Sequence, residues 1–136
     1  MTDAPLNVGI IGAGAISQRH FEGYSHAGAI VTAFAEPHDG TRHRRETEWN
    51  ARGYADFTKL LEEGEVQAVS ICTPNAFHAP AALAALSRGI HVLCEKPLSL
   101  DLAACDEMIA AAREGGAILQ TGHHLRSSPR CRPPNA

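Results

Sequence analysis

The sequence predicts an α/β fold, with a doubly wound parallel sheet in three α/β/α layers. Three observations carry that expectation: continuous apolar runs that alternate with longer Ala-rich segments, a glycine turn directly after the first apolar run, and an acid at the end of the second. Val8-Gly9-Ile10-Ile11 reads as a buried strand and runs straight into Gly12-Ala13-Gly14. Ala15 to Ala27 reads as a helix ended by Gly28, and Ile30 to Glu36 as a second strand stopped by Pro37. A polar helix follows from Thr41 to Arg52, with Gly53 as its expected cap. Phe57 to Glu63 is a short helix closed by Gly64, and Val66 to Cys72 a third strand broken at Thr73-Pro74-Asn75. From about His78 to Arg88 the pattern is again helical, with Pro80 tolerable only in the first turn and Gly89 as cap. Ile90 to Cys94 is a strand. Asp101 is placed to cap a helix to Glu114 whose Leu102, Cys105, Ile109 and Ala112 share one stripe, and Ala117 to Thr121 is the last strand.

Length and composition bound the organisation. The 136 residues, 44% hydrophobic and 20% charged, are enough for one domain with a real core. Residues 1–126 are read as that domain. Residues 127–136, with three prolines and no periodicity, are read as an irregular tail. No internal repeat is visible. A net charge of −3 argues against a nucleic-acid binder. No apolar run approaches the roughly 18 residues of a membrane span, and the N-terminus lacks a secretory pattern, so a cytoplasmic protein is expected. The four cysteines form no Cys-x-x-Cys pair, and His123-His124 is the one adjacent histidine pair, so neither a disulfide framework nor a metal site is expected.

The glycine turn carries the first chemistry. Gly12-Ala13-Gly14-Ala15-Ile16-Ser17 is a Gly-x-Gly-x-x-Ser form of the dinucleotide fingerprint, weak alone but placed between a strand and a helix. Gly12 permits the tight turn, Gly14 admits a pyrophosphate, and the helix start offers unpaired N–H groups to the anion. Glu36, 22 residues beyond Gly14, stands where a carboxylate accepts the adenosine ribose hydroxyls and repels a 2′-phosphate. That favours NAD. Arg42, Arg44 and Arg45 leave NADP open, because Arg42 or Arg44 could reach a 2′-phosphate if the three do not simply form a solvated helix face. Two further motifs follow strand ends, where ligands bind in open α/β sheets: Thr73-Pro74-Asn75 with His78, and Glu95-Lys96-Pro97. Lys96 there could hold a substrate hydroxyl or assist proton transfer.

Taken together, residues 9–17, Ala35-Glu36-Pro37, the Thr73–His78 segment and Gly89 through Glu95-Lys96-Pro97 resemble the glucose-fructose oxidoreductase / inositol dehydrogenase / MocA family over residues 5 to about 126. The resemblance implies a Rossmann-type NAD(P)-binding domain of an oxidoreductase. Such an enzyme moves a hydride between nicotinamide and a sugar, polyol or related hydroxy compound. It assigns the pyrophosphate to Gly12, Gly14, Ala15 and Ile16, and the adenosine ribose to Glu36. Thr73, Pro74, Asn75 and His78 go to the cofactor's ribose and phosphate edge. Glu95 and Lys96 go to the nicotinamide side, with Lys96 catalytic, the bond before Pro97 often cis, and Arg126 a further cofactor contact. The family's second α/β domain is absent from this sequence, so cofactor binding with little or no turnover is expected, together with self-association of a face left uncovered. A non-catalytic dinucleotide sensor and an S-adenosylmethionine enzyme are the competing expectations; the latter leaves Glu95-Lys96-Pro97 unexplained.

Overall fold

A computed structural model of the chain describes residues 4–96, 98, 99 and 101–122. Six strands make one parallel sheet: β1 Asn7–Ile11, β2 Ile30–Ala35, β3 Arg52–Tyr54, β4 Ala68–Ile71, β5 His91–Glu95 and β6 Leu119–Gly122. Their spatial order is β3-β2-β1-β4-β5-β6. The order reverses between β1 and β4. The connections leaving those two neighbours therefore diverge and open a crevice at their carboxyl ends.

Helices cover both faces. On one lie α1 Ser17–His26 and α2 Asp39–Trp49, and on the other α3 Phe57–Glu63, α4 His78–Leu86 and α5 Leu102–Gly115. Neighbouring residues of a strand serve opposite layers, except that a register shift in β2 between Val31 and Ala33 puts Val31 and Phe34 on the same side. Ile10, Val31 and Phe34 pack with Trp49, while Ile11, Val69, Ile71 and Val92 pack with Leu60, Leu86 and Met108. Trp49 centres the first layer, stacked on Phe21 at 5.1 Å and edge-on to Phe34 at 5.3 Å. The doubly wound, three-layer expectation is met.

The structure differs from the sequence reading at three places. The polar helix ends at Trp49, because Asn50 takes the left-handed conformation (φ 48°) that Asn tolerates better than most residues. Arg52–Tyr54 is thereby released to form β3 beside β2, a strand too short to show a period. In α5 the buried positions are Met108 and Ala112, while Leu102 is 83% exposed and Ile109 42% exposed. The expected stripe is thus turned partly outward. Asp101 does cap this helix, accepting from the Ala103 N–H at 3.0 Å. The tail 127–136 lies outside the described residues, as do His123 and His124.

Close approach of α4 and α5 is set by Gly115, where an added Cβ would sit 2.3 Å from the Leu86 carbonyl oxygen. In the middle of α1, a Cβ at Gly23 would meet nothing within 4 Å. Gly115→Ala is expected to lower the unfolding free energy by about 1–3 kcal/mol through forced separation of the helices. Gly23→Ala is expected to raise it by about 0.5–1 kcal/mol through helix propensity. Urea unfolding of the two variants beside the parent chain checks both signs.

Candidate functional site

The crevice begins with the chain leaving β1. Gly12 turns at φ +92° and donates its N–H to the Ala35 carbonyl at 2.8 Å. An added Cβ there would lie 2.9 Å from the Cys72 backbone, so only glycine lets β1 leave the sheet against the end of β4. The Ala13 N–H donates to Glu36 Oε1 and the His38 N–H to Glu36 Oε2, both at 3.0 Å. The carboxylate is thus fixed at the mouth of the crevice with acceptor capacity remaining on each oxygen.

Beyond it, the N–H groups of Gly14 and Ala15 have no acceptor among the described residues. Gly14 faces open space, and its carbonyl accepts from the Ser17 N–H at 3.2 Å and from the Ser17 hydroxyl. Ile16 is the N-terminal cap of α1, without a side-chain capping bond. The result is a helix start with unpaired donors and the positive end of the helix dipole directed outward. Ser17, standing where a third glycine was expected, is completely buried, and its hydroxyl is used to close the turn.

Alongside the loop lies a cavity of about 510 Å³. Glu36, Gly12 and Gly14 form one wall, Thr73 and Pro74 another, and Phe57 and Phe77 supply apolar surface. Thr73 Oγ1 is buried with no partner among the described residues. A polar atom left so needs a donor or acceptor from outside. Main-chain donors, a carboxylate, an orphan hydroxyl and an apolar slot together fit a diphosphate, a ribose diol and a purine ring.

The remaining predicted residues divide. Asn75 is exposed at the start of the 3-10 turn Asn75–Phe77. His78 does not reach the surface: it is 1% exposed, with Nε2 2.9 Å from the Thr73 carbonyl, so it shapes the loop from beneath. Glu95 points back into the protein. Its Oε1 is 2.6 Å from His20 Nε2, His20 Nδ1 is 2.9 Å from Ser70 Oγ, and Tyr24 completes the chain on Ser70. One direction of donation, Tyr24 to Ser70 to His20 to Glu95, satisfies all four groups. Burial raises the Tyr24 phenol above its ordinary value. Lys96, next in the chain, is exposed at the carboxyl end of β5. Burial, reinforced by the Glu95 charge, pushes the Cys94 thiol up to about 12, and it raises the Cys72 thiol further. Neither thiol is a nucleophile at neutral pH. Pro97 and Arg126 lie outside the described residues.

The arginine cluster is not one solvated face. Arg44 pairs with Glu48 on the surface at 3.1 Å. Arg42 is engaged by the Glu36 carbonyl at 2.8 Å and by Asp39, whose carboxyl the bond holds below its ordinary value. Arg45 is 6% exposed and donates to the Ala13 and Gly14 carbonyls, both at 3.1 Å, and to Gln18 Oε1 at 2.8 Å. Sequence reasoning missed both Arg45 and His20. The available signal for Arg45 was its spacing of four residues from Trp49, over which its guanidinium lies at 4.8 Å.

His20→Ala removes the one side chain that joins Glu95 to Ser70. The variant is expected to lose about 1–3 kcal/mol of stability, because a carboxylate and a hydroxyl stay behind with a lost partner. Guanidinium unfolding measures it, and a loss within about 0.5 kcal/mol, typical of surface changes, would show the network to be inert. Native Cys72 and Cys94 are expected to resist iodoacetamide at pH 8 and to react on unfolding, read by mass spectrometry.

Comparison with known proteins agrees with this geometry. The family model described as an oxidoreductase family with an NAD-binding Rossmann fold matches residues 6–123. Myo-inositol 2-dehydrogenase of Thermotoga maritima is 34% identical over 123 residues, 89% of this chain and 37% of its own. The 1,5-anhydro-D-fructose reductase of Ensifer adhaerens is 47% identical over 70 residues, 52% of this chain and 21% of its own. Biliverdin reductase of Synechocystis sp. PCC 6803, solved with biliverdin and NADP+, superposes with a TM-score of 0.83 at 30% identity, covering 88% of this chain and 38% of that one. This chain therefore spans less than two fifths of the length of these relatives. No helix among the described residues is long and apolar enough to cross a membrane. With its parallel Rossmann sheet and the glycine turn after β1 in place, the chain belongs to the Gfo/Idh/MocA oxidoreductase family and constitutes the NAD-binding domain of that family.

Proposed function

We propose that this chain is the cofactor-holding part of an oxidoreductase that acts on the carbinol of a sugar, a polyol or a related hydroxy compound, with NAD preferred over NADP. The observation that carries the reading is the pair of unpaired N–H groups at Gly14 and Ala15 beside the fixed Glu36 carboxylate. When bound, the nicotinamide supplies the two-electron hydride acceptor. The protein's part is to bind and orient. Gly12, Gly14, Ala15 and Ile16 take the diphosphate, Glu36 the adenosine ribose, and Thr73, Pro74 and Asn75 the edge of the crevice. Glu95 turns inward on His20, which leaves Lys96 at the carboxyl end of β5 to serve as the catalytic lysine on the substrate side. His78 belongs to this site through Thr73, whose carbonyl it holds.

The choice of NAD rests on charge. Glu36 faces the ribose position with both oxygens fixed, and a 2′-phosphate there would meet a carboxylate. Arg42, the arginine nearest to answer that phosphate, already donates to the Glu36 and Pro37 carbonyls and to Asp39. The hydroxy-compound substrate is supported by the named activities of the inositol and anhydrofructose relatives. The free thiols of Cys72, Cys94 and Cys105 support a reducing, cytoplasmic setting. Exposed Leu102 and Ile109 on α5 support self-association of this chain when nothing covers them.

Fluorescence titration with NADH and NADPH tests the reading. NADH is expected to bind about tenfold more tightly or better, and Glu36→Ser to narrow that ratio. Equal affinity in the parent chain would overturn the NAD preference. Absence of binding by either nucleotide would overturn the site. The same chain is expected to show negligible turnover across inositols and sugars, and robust turnover would place the substrate pocket within these 136 residues.

A further inference from the structure

Arg45 is a long cation buried directly behind the glycine loop, and no function assigned above requires it. Its guanidinium uses all three nitrogens: Nε on the Ala13 carbonyl, Nη2 on the Gly14 carbonyl and Nη1 on Gln18 Oε1. The Trp49 ring closes one face, and its indole N–H donates to the same Gln18 oxygen at 2.9 Å. Among the described residues the carboxylate paired with it is Glu48, at 3.6 Å and itself partly solvated. Burying a guanidinium with so little opposing charge is costly unless something else compensates.

The geometry of the peptide bond shows what compensates. In a trans peptide the C=O and the following N–H point in opposite directions. Fixing the Ala13 carbonyl toward α2 therefore turns the Gly14 N–H away from it, and fixing the Gly14 carbonyl does the same for the Ala15 N–H. Those two N–H groups are among the loop donors that have no acceptor among the described residues, and both residues are exposed. We propose that Arg45 is a positioning residue for the cofactor diphosphate. It orients the Gly14 and Ala15 amides from behind, polarises both peptides, and places a permanent positive charge one peptide layer from the phosphates. The role rests on the reading of the loop as a diphosphate site. It touches no ligand, and it is independent of whether NAD or NADP is taken.

The prediction separates phosphate from nucleoside. Calorimetric titration of the 136-residue chain with ADP and with adenosine gives two affinities for each variant. Arg45→Gln is expected to weaken ADP by about tenfold, and Arg45→Lys, which keeps charge but not the fork, by an intermediate factor. Adenosine is expected to stay within about twofold in both, because its contacts lie on Glu36 and the apolar slot. Equal weakening of ADP and adenosine would mean that Arg45 is merely structural and would overturn the role, as would unchanged ADP affinity in both variants. Failure of the unaltered chain to bind ADP would instead remove the diphosphate site itself, and the role with it. Should both variants fail to fold, the 15N-labelled parent decides. The Arg45 Nε–H resonance is expected to shift on addition of ADP and to stay in place with adenosine, and no shift with ADP would overturn the proposal.

Discussion

Main-chain amides can hold an anion only if they are kept from pairing with their own chain. The rest of this site depends on that constraint. Here it is met by spending every neighbouring polar group elsewhere. Gly12 donates to the end of β2, Ala13 to the Glu36 carboxylate, and the Gly14 carbonyl accepts from Ser17 and Arg45. What stays unpaired is the small set of donors at the start of α1. The sheet supplies the reason that these donors face a crevice. β1 is flanked by β2 and β4, and the chain leaves β1 and β4 toward opposite faces. A residue with a Cβ at position 12 would collide with the backbone where β4 ends, so strand order and loop chemistry meet in one glycine.

Much of this was legible in the sequence, because it was carried by local pattern. Gly12, Gly14 and Glu36 were found from spacing, and the strands from apolar runs that need no partner to be recognised. Asp101 as a helix cap and Pro80 in a first turn followed from rules that act over three or four residues. The failures have a common physical origin. β3 exists because β2 offers it an edge, not because three residues have a period. Arg45 and His20 look like ordinary helix-surface residues until the fold brings Ala13 and Gly14 to one and Ser70 and Glu95 to the other. Two members of the expected α5 stripe, Leu102 and Ile109, are exposed, while Ala112 is buried as expected. Met108 and not Ile109 meets the sheet, and a moment read from sequence does not fix which edge of an apolar arc faces inward.

The two buried polar clusters divide the labour along the crevice. Arg45, Gln18 and Trp49 lie under the glycine turn and join α1 to α2. His20, Tyr24 and Ser70 lie on the other side of α1 and reach Glu95 at the end of β5. Helix α1 therefore contacts both through Gln18 and His20, two residues apart and on different sides of the helix. Any displacement of α1 would move the unpaired amides of the glycine turn and the Glu95-Lys96 segment together. Buried polar networks are destabilising when half satisfied, so a helix held by two of them has little freedom to shift.

Completeness differs between the two ends of the crevice, and the difference follows from chemistry. Recognition of adenosine and diphosphate needs main-chain donors, one carboxylate and an apolar slot, all of which a single α/β unit provides at its strand ends. Hydride transfer needs more. Donor carbon and acceptor ring must be held within near-contact geometry and shielded from water, which requires protein on more than one side. At that end the described residues offer Lys96, exposed on a strand terminus, with its neighbour Glu95 turned away to His20. Affinity for the cofactor is thus separable from use of it. In the proposed reading the first resides in the contacts of β1, β2 and α1, and the second waits on a surface that would close over Lys96.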